Sequence, residues 1–172
     1  MFPKSSTDAK YAVMGGAIAG IAAGALLTAT MTVMSAVTGH DIWFGMKGAA
    51  APILGAEAMG PGFSFLPVMV GLASHFLVSM LWGIGFGFLA YHLDRRTTLV
   101  VGGLYGVLAW LGMSYVVLPA VGLSAMVSEA PTLKSVVYHV IFGLSMAVAL
   151  LAFEIEEDHD RNLAFRFRHS YG

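Results

Sequence analysis

The sequence predicts an all-α integral membrane protein, a four-helix bundle built from two repeated transmembrane hairpins. Of its 172 residues, 58% are hydrophobic and 11% are charged, whereas soluble domains carry about 25% charged residues. The mean hydropathy is +0.78. The polar residues gather in short stretches between four long apolar runs. This separation is expected when lipid is the solvent around the chain.

Each apolar run is long enough to cross the hydrocarbon core, which requires about 20 helical residues. The runs cover residues 12–37, 66–92, 98–123 and 133–154, and none has Asp, Glu, Lys or Arg in its interior. The backbone must satisfy its own hydrogen bonds in lipid, and barrel strands are only about 10 residues long. The runs therefore predict four transmembrane helices in a single membrane domain.

The basic residues predict the orientation. Only Lys47 and Lys134 flank the runs on one side. The other side carries Lys4, Lys10, Arg95, Arg96, Arg161, Arg166 and Arg168. The positive-inside rule places this second side in the cytoplasm. We therefore expect a multi-pass protein of a bacterial-type inner membrane with both termini and a 155–172 tail in the cytoplasm, and with the segment near 124–132 outside.

The first outer segment, 38–65, is too apolar for an ordinary solvated loop. Trp43 and Phe44 suit the headgroup layer. A short interfacial helix is predicted from Ala49 to Met59, ended by Gly60 and Pro61. The alternative is a re-entrant element that lines a cavity.

Regularly spaced glycines indicate close helix packing. Gly16, Gly20 and Gly24 recur every fourth residue and share one face of the first helix, and Gly102 and Gly106 repeat the spacing in the third. Small residues on one face let two membrane helices approach closely. We expect these five glycines to lie at helix interfaces.

The two halves of the chain resemble each other. The stretch 15–20 is similar to 102–106, and the second and fourth helices each contain one interior histidine, His75 and His139. Two copies of a hairpin share one topology, so an axis along the membrane normal relates them. The two imidazoles are then expected at similar depth, facing each other across that axis.

Histidine inside a membrane helix is costly and suggests a function. One hypothesis is a b-type haem, or a metal, held between the second and fourth helices by His75 and His139. The alternative is interhelical hydrogen bonding, for which serine, tyrosine and backbone partners are near in sequence. The metal itself stays unknown. The scattered methionines raise copper(I), but gap filling explains them equally well.

Several function classes are excluded by what the sequence lacks. It has no cysteine, no phosphate-binding loop, no H-E-x-x-H or G-x-S-x-G motif, and no acidic pair in the apolar runs. No basic patch suggests nucleic acid binding. We therefore predict a protein that is not an enzyme, needs no cofactor outside the haem hypothesis, and has the lipid bilayer as its surroundings.

The pattern resembles small bacterial and archaeal four-helix inner-membrane proteins of unknown function, with YagU-like proteins as distant relatives. The residues that carry this resemblance are the glycine stretch 16–20, Gly71 to Gly87 around His75, 103–106 with Trp110 and Pro119, and His139 to Gly143. The resemblance implies the four-helix fold and the paired histidines, and it brings no activity with it.

The first functional prediction is accordingly a structural or accessory membrane component that packs with itself or with a larger membrane complex. The second is a small b-type cytochrome with His75 and His139 as axial ligands. The third is a small transporter or channel with a polar cavity between the repeats.

Overall fold

The computed structural model describes residues 6–123 and 132–170, with side chains described for 8–123 and 133–157. The helices are α1 (Ser6–Val37), α2 (Phe44–Leu54), a 3-10 turn (Ala56–Met59), α3 (Phe65–Ala90), α4 (Arg95–Gly112), a π turn (Met113–Val117), α5 (Leu118–Ala120) and α6 (Thr132–Ser170). The predicted segment 124–132 falls almost wholly outside the described residues.

Four helical stretches in this part of the chain are long and apolar enough to cross a membrane. They are Asp8–Val37, Phe65–Ala90, Arg95–Ala120 and Leu133–Glu157. Each coincides with one predicted run to within a few residues, apart from an earlier start of the first stretch. The prediction of an all-α protein with four potential membrane spans is confirmed.

Glycines set the packing of α1 against α3. A Cβ atom added at Gly16 would overlap the carbonyl oxygen of Gly83, and one added at Gly20 would overlap that of Ser79. The later residue in α1, Gly20, contacts the earlier residue in α3, Ser79. The two helices are therefore antiparallel. Only glycine lets the two backbones approach this closely.

The α4 and α6 pair repeats this arrangement. A Cβ atom at Gly102 would lie 2.7 Å from the carbonyl oxygen of Gly143, and one at Gly106 would overlap the carbonyl oxygen of His139. The pairs Gly16 with Gly83 and Gly102 with Gly143 are therefore matching contacts, and Ser79 and His139 occupy matching positions.

Helix α1 lies between α3 and α6, and α4 packs on the other side of α6. Helices α3 and α4 meet through aromatic side chains. The Tyr105 hydroxyl donates to the Trp82 carbonyl at 2.9 Å, and its ring packs against Trp82 and Phe86 at centroid distances of 5.6 and 5.3 Å.

The interior is made mainly of small residues and the outside of large ones, as expected for a bundle in lipid. Buried positions include Ala12, Ala19, Ala23, Ala109 and Ala147. Large apolar side chains point outward on all four long helices: Met14, Ile18, Ile21, Leu26, Leu77, Leu81, Val100, Leu104, Leu108, Leu144 and Val148. A soluble bundle would invert this distribution.

Proline explains the irregular end of the third span. Pro119 has no N–H, and its ring clashes with the carbonyl four residues earlier, that of Tyr115. The chain responds with the π turn, in which the Leu118 N–H donates to the Met113 carbonyl five residues back. The span continues through this turn to Ala120.

The outer segment differs from the prediction in its helix bounds. The helix runs from Phe44 to Leu54 and contains Pro52, whereas Ala49 to Met59 was expected. It starts early because the Asp41 carboxylate accepts the Trp43 N–H at 2.9 Å, which fixes the turn before the helix. The residues up to Met59 form a separate 3-10 turn.

Helix α6 continues to Ser170, beyond the predicted end of the span at residue 154. Glu, Arg, Leu and Ala occur after residue 154 and are good helix formers, so the helix does not end where the apolar run ends.

Candidate functional site

His75 hydrogen-bonds across a helix interface. Its Nε2 atom lies 3.1 Å from the carbonyl oxygen of Gly24 in α1. A Cβ atom at Gly24 would meet the Ser79 side chain at 2.7 Å and the imidazole at 3.5 Å. The absence of a side chain at Gly24 thus makes room for the His75 and Ser79 side chains of α3.

Thr28 lies one turn beyond Gly24 in α1. Threonine in a helix usually donates its hydroxyl to the carbonyl four residues earlier, which here is that of Gly24. The Thr28 hydroxyl is buried and has no hydrogen-bond partner in the described part of the chain. His75 occupies the carbonyl that Thr28 would use.

His139 is held within its own helix. Its Nδ1 atom lies 2.8 Å from the carbonyl oxygen of Ser135, one turn earlier in α6. Donation through Nδ1 directs Nε2 away from the backbone, the orientation seen in histidines that bind a metal.

Helices α3 and α6, which carry His75 and His139, make few direct contacts. The matching helix contacts pair His139 with Ser79, not with His75. His75 precedes Ser79 by four residues, which is one helical turn or about 6 Å along the axis of α3. His75 is therefore nearer than His139 to the end of the bundle at which α3 begins. The equal depth expected from the sequence therefore differs from the depth that the glycine contacts give.

The five predicted packing glycines lie inside the bundle. Gly16, Gly20 and Gly24 face α3, and Gly102 and Gly106 face α6. Within one chain, each of these glycine faces is thus already covered by another helix. Among the described residues, no group of three or more His, Cys, Asp or Glu side chains is arranged to hold a metal ion.

A buried lysine was missed by the sequence reasoning. The Lys47 side chain is 1% exposed and forms an ion pair with Asp41. Its ammonium also donates to the carbonyl oxygens of Gly60 and of Gly62, the latter at 2.9 Å. All three ammonium protons thus have acceptors. The available signal was a lone Lys in an apolar stretch with an Asp six residues before it.

Asp41 joins both ends of the outer segment. Besides Lys47 and the Trp43 N–H, it accepts the Gly62 N–H at 3.1 Å. The hydrogen bond from Lys47, helped by the one from Trp43, holds the pKa of the Asp41 carboxyl below its usual value. We call Asp41, Lys47, Gly60 and Gly62 the outer clasp.

The opposite end of the bundle is tied by acidic residues of α6. The Tyr91 hydroxyl donates to Glu157 at 2.7 Å, and the His92 N–H donates to Glu154 at 2.7 Å. His92 has a φ of 66°, a left-handed conformation that the turn between α3 and α4 requires.

Asp94 caps the N-terminus of α4. Its carboxylate accepts the backbone N–H groups of Arg96 and Thr97 at 3.1 and 3.2 Å. Hydrogen bonds from the Thr97 hydroxyl and N–H keep the pKa of Asp94 below its usual value. The short turn between the second and third spans is thus fixed by its own sequence.

The chain matches a known family over most of its length. The model of a family of unknown function, DUF6789, matches residues 11–161, which include all four spans and the outer clasp. No curated protein and no solved structure matches the chain, so the resemblance to YagU-like proteins stays a prediction. The protein belongs to the DUF6789 family.

Proposed function

We propose that the protein is a non-enzymatic structural or accessory component of a bacterial-type inner membrane, which acts by assembling with a second copy or with a larger membrane complex. The observation that carries this is the filled interior. Phe86, Met146, Ala147 and Leu150 are each 0% exposed where the two helix pairs meet, and both histidines are engaged with backbone carbonyls.

The filled interior weighs against the transporter prediction. The Tyr105 hydroxyl of α4 donates to the Trp82 carbonyl of α3, and buried aromatic and aliphatic side chains pack between the two helix pairs. A transport path would require polar groups at this depth.

The proposed orientation places both termini in the cytoplasm. Lys10, Arg95 and Arg96 lie at the end where α1 begins and α4 begins. At the other end Lys47 is buried and paired with Asp41, so its charge is neutralised. The positive-inside rule counts Lys and Arg residues near the ends of the spans, and more of them lie at the first of these ends.

Cysteine labelling tests the orientation cleanly because the chain contains no cysteine. His40 and Arg95 are both exposed and lie at opposite ends of the bundle, so we use the variants His40→Cys and Arg95→Cys. A membrane-impermeant maleimide added to intact spheroplasts is expected to label only His40→Cys, and to label Arg95→Cys after permeabilisation. If only Arg95→Cys were labelled in intact spheroplasts, the termini would lie outside the cytoplasm and the proposed orientation would be wrong.

The matching glycine contacts support an internal duplication. Gly16, Gly20 and Gly83 correspond to Gly102, Gly106 and Gly143 in the contacts that they make. We take α1 with α3 and α4 with α6 as diverged copies of one hairpin, related by an axis along the membrane normal. The two copies share the backbone contact at this position. The side chain is free to differ, so residue 79 is a serine and the matching residue 139 is a histidine.

Assembly must use surfaces other than the glycine faces, because these are filled within one chain. Extraction of the protein from its native membrane into polymer-bounded nanodiscs, followed by mass determination, tests the proposal. Particles containing two or more protein chains are expected. Nanodiscs that contain a single 18.2 kDa chain and no other protein would contradict an accessory role.

A b-type cytochrome is the second candidate, supported by the orientation of His139. Its Nδ1 atom bonds Ser135, so Nε2 is the ring nitrogen that would bind a haem iron. His75 would first have to release Gly24 to offer its Nε2 atom. Oxidised and reduced absorption spectra of the purified protein decide this candidate. A Soret band lost in both His75→Ala and His139→Ala would establish the cytochrome and replace the accessory function.

A further inference from the structure

We propose that α2 and the 3-10 turn form a short re-entrant hairpin, which enters the lipid leaflet beside α3 and is closed by the outer clasp. The partner of its outward face is the acyl chains of that leaflet. This inference requires only that α3 spans the membrane, and any assembly must then use surfaces of the bundle other than this face.

The direction of α2 is given by two contacts with α3. The Met46 carbonyl lies against the Cα of Gly71, so that an added Cβ would overlap it. Three residues further along both helices, the Ser74 hydroxyl donates to the Ala49 carbonyl at 2.7 Å. The helices thus run side by side in the same direction. A helix lying flat on the membrane would cross α3 at a single level.

The depth follows from the length of α3. Its 26 residues span about 39 Å, against about 30 Å of hydrocarbon. Gly71 is about 9 Å from the start of α3 at 1.5 Å per residue. Even if the whole excess length projects on this side, Gly71 lies at the boundary of the hydrocarbon. The part of α2 beyond Met46 then lies within it, and Leu54 reaches about 12 Å deeper.

The side chains of α2 fit this placement. Ala50 and Ala51 are buried against the bundle at 0% and 1% exposure, while Ile53 is 63% and Phe44 56% exposed. The exposed apolar surface continues onto the start of α3, where Phe65, Leu66 and Met69 also point outward. The lipid-facing surface of the bundle therefore extends without a break over the hairpin.

Several backbone groups at the glycines of the returning limb have partners within the chain. Gly55 makes the turn with a φ of 82°, and its N–H donates to Ala51 at 2.9 Å. The carbonyls of Gly60 and Gly62 accept from the Lys47 ammonium. In a bilayer no water is available for such groups, so the protein must supply the donor. This gives Lys47 a specific role in an otherwise apolar segment.

The ends of the hairpin lie where an interface is expected. The rings of Trp43 and Phe63 meet edge to face with centroids 5.0 Å apart, which brings the descending and returning limbs together at the clasp. Aromatic rings of this kind prefer the headgroup layer. Glu57 is exposed two residues past Gly55, so in this placement its carboxyl group must reach back to the headgroup layer or be protonated.

Spin labels at single introduced cysteines test the proposal in liposomes. The full-length Ile53→Cys variant probes the hairpin, Leu77→Cys is a lipid-facing control on α3, and His40→Cys is a water-facing control on the same side. The Ile53 label is expected to collide with dissolved oxygen more than with a water-soluble nickel chelate, as the Leu77 label does. An Ile53 label with the collision ratio of His40 would overturn the re-entrant placement.

A second variant tests the clasp. In the Ile53→Cys background, Lys47→Met is expected to increase collisions with the nickel chelate severalfold, because the unsatisfied carbonyls draw water or leave the leaflet. The Leu77 label in the same variant should keep its collision ratio, which shows that the bundle is intact. An unchanged Ile53 label in Lys47→Met would contradict the closing role of Lys47.

Discussion

The Nε2 atom of His75 lies 3.1 Å from the carbonyl oxygen of Gly24, and the Thr28 hydroxyl that would otherwise use this carbonyl has no partner among the described residues. Two donors thus compete for one acceptor at the interface of α1 and α3. The competition makes the effect of each substitution depend on the other residue.

We expect Thr28→Val to stabilise the native protein slightly, because it removes a buried hydroxyl that has no hydrogen-bond partner among the described residues. In a His75→Leu background the Thr28 hydroxyl is free to bond Gly24, so Thr28→Val should then cost about 0.5–1.5 kcal/mol. Unfolding of the two single variants and the double variant in mixed detergent micelles measures this coupling. Additive effects would show that Thr28 does not replace His75.

The glycine contacts predict equal effects in the two helix pairs. Gly83→Ala and Gly143→Ala each push a methyl group into the opposing backbone, which should cost about 1–3 kcal/mol. Gly103→Ala is the matched control, because its Cβ would meet only the Leu144 side chain at 3.7 Å. We expect the control to be as stable as the native protein or slightly more stable. A loss in one pair alone would argue against the duplicated packing.

In the outer clasp, substitutions of Asp41 and of Lys47 are expected to lower the thermal stability by different amounts. The Lys47 side chain is 1% exposed and that of Asp41 is 26% exposed. Asp41→Leu leaves a buried ammonium without its counter-ion, whereas Lys47→Met leaves a carboxylate that water can reach. Asp41→Leu should therefore lower the melting temperature more, and the double variant should recover part of the loss. Thermal unfolding in detergent measures all three, and equal single losses would contradict the argument.

The clasp also predicts a dependence on pH. The folded pKa of Asp41 is lowered from its ordinary value of 3.8, so the ionised form contributes stability that is fully present above that value. This contribution is lost as pH falls below 3.8 toward the folded pKa. The difference in melting temperature between the native protein and Asp41→Asn should be constant from pH 5 to 7, within about 1 °C, and shrink at lower pH. Taking the difference removes the parallel contribution of Asp94. A difference that grows on acidification would have the wrong sign.

The contact between Tyr91 and Glu157 predicts a coupled pair. Tyr91 is 6% exposed, and its hydroxyl donates to Glu157. Removing this hydrogen bond with Tyr91→Phe should cost about 1–3 kcal/mol, since the acceptor is charged. In a Glu157→Gln background the same substitution should cost less. A double-mutant cycle by detergent unfolding gives the coupling energy, and a value near zero would show that the two side chains act separately.

The membrane spans were predictable because length and hydropathy are local properties of the chain. The runs 66–92 and 98–123 agree closely with Phe65–Ala90 and Arg95–Ala120. The bounds of α2 were not predictable from local pattern, since its start depends on the Asp41 carboxylate and its end on the turn at Gly55. The end of α6 was also missed, because no stop signal follows residue 154 and because Glu154 and Glu157 bind the turn between α3 and α4.

The sequence by itself determined four helices that are long and apolar enough to cross a membrane, with glycine faces ready for close packing and two interior histidines. Only the tertiary structure decided that α1 lies between α3 and α6, that the glycine faces are filled within one chain, and that His139 corresponds to Ser79. It also decided that Lys47 is buried. The physical reason is that composition and spacing act along one helix, whereas the register between helices depends on backbone contacts between residues distant in sequence.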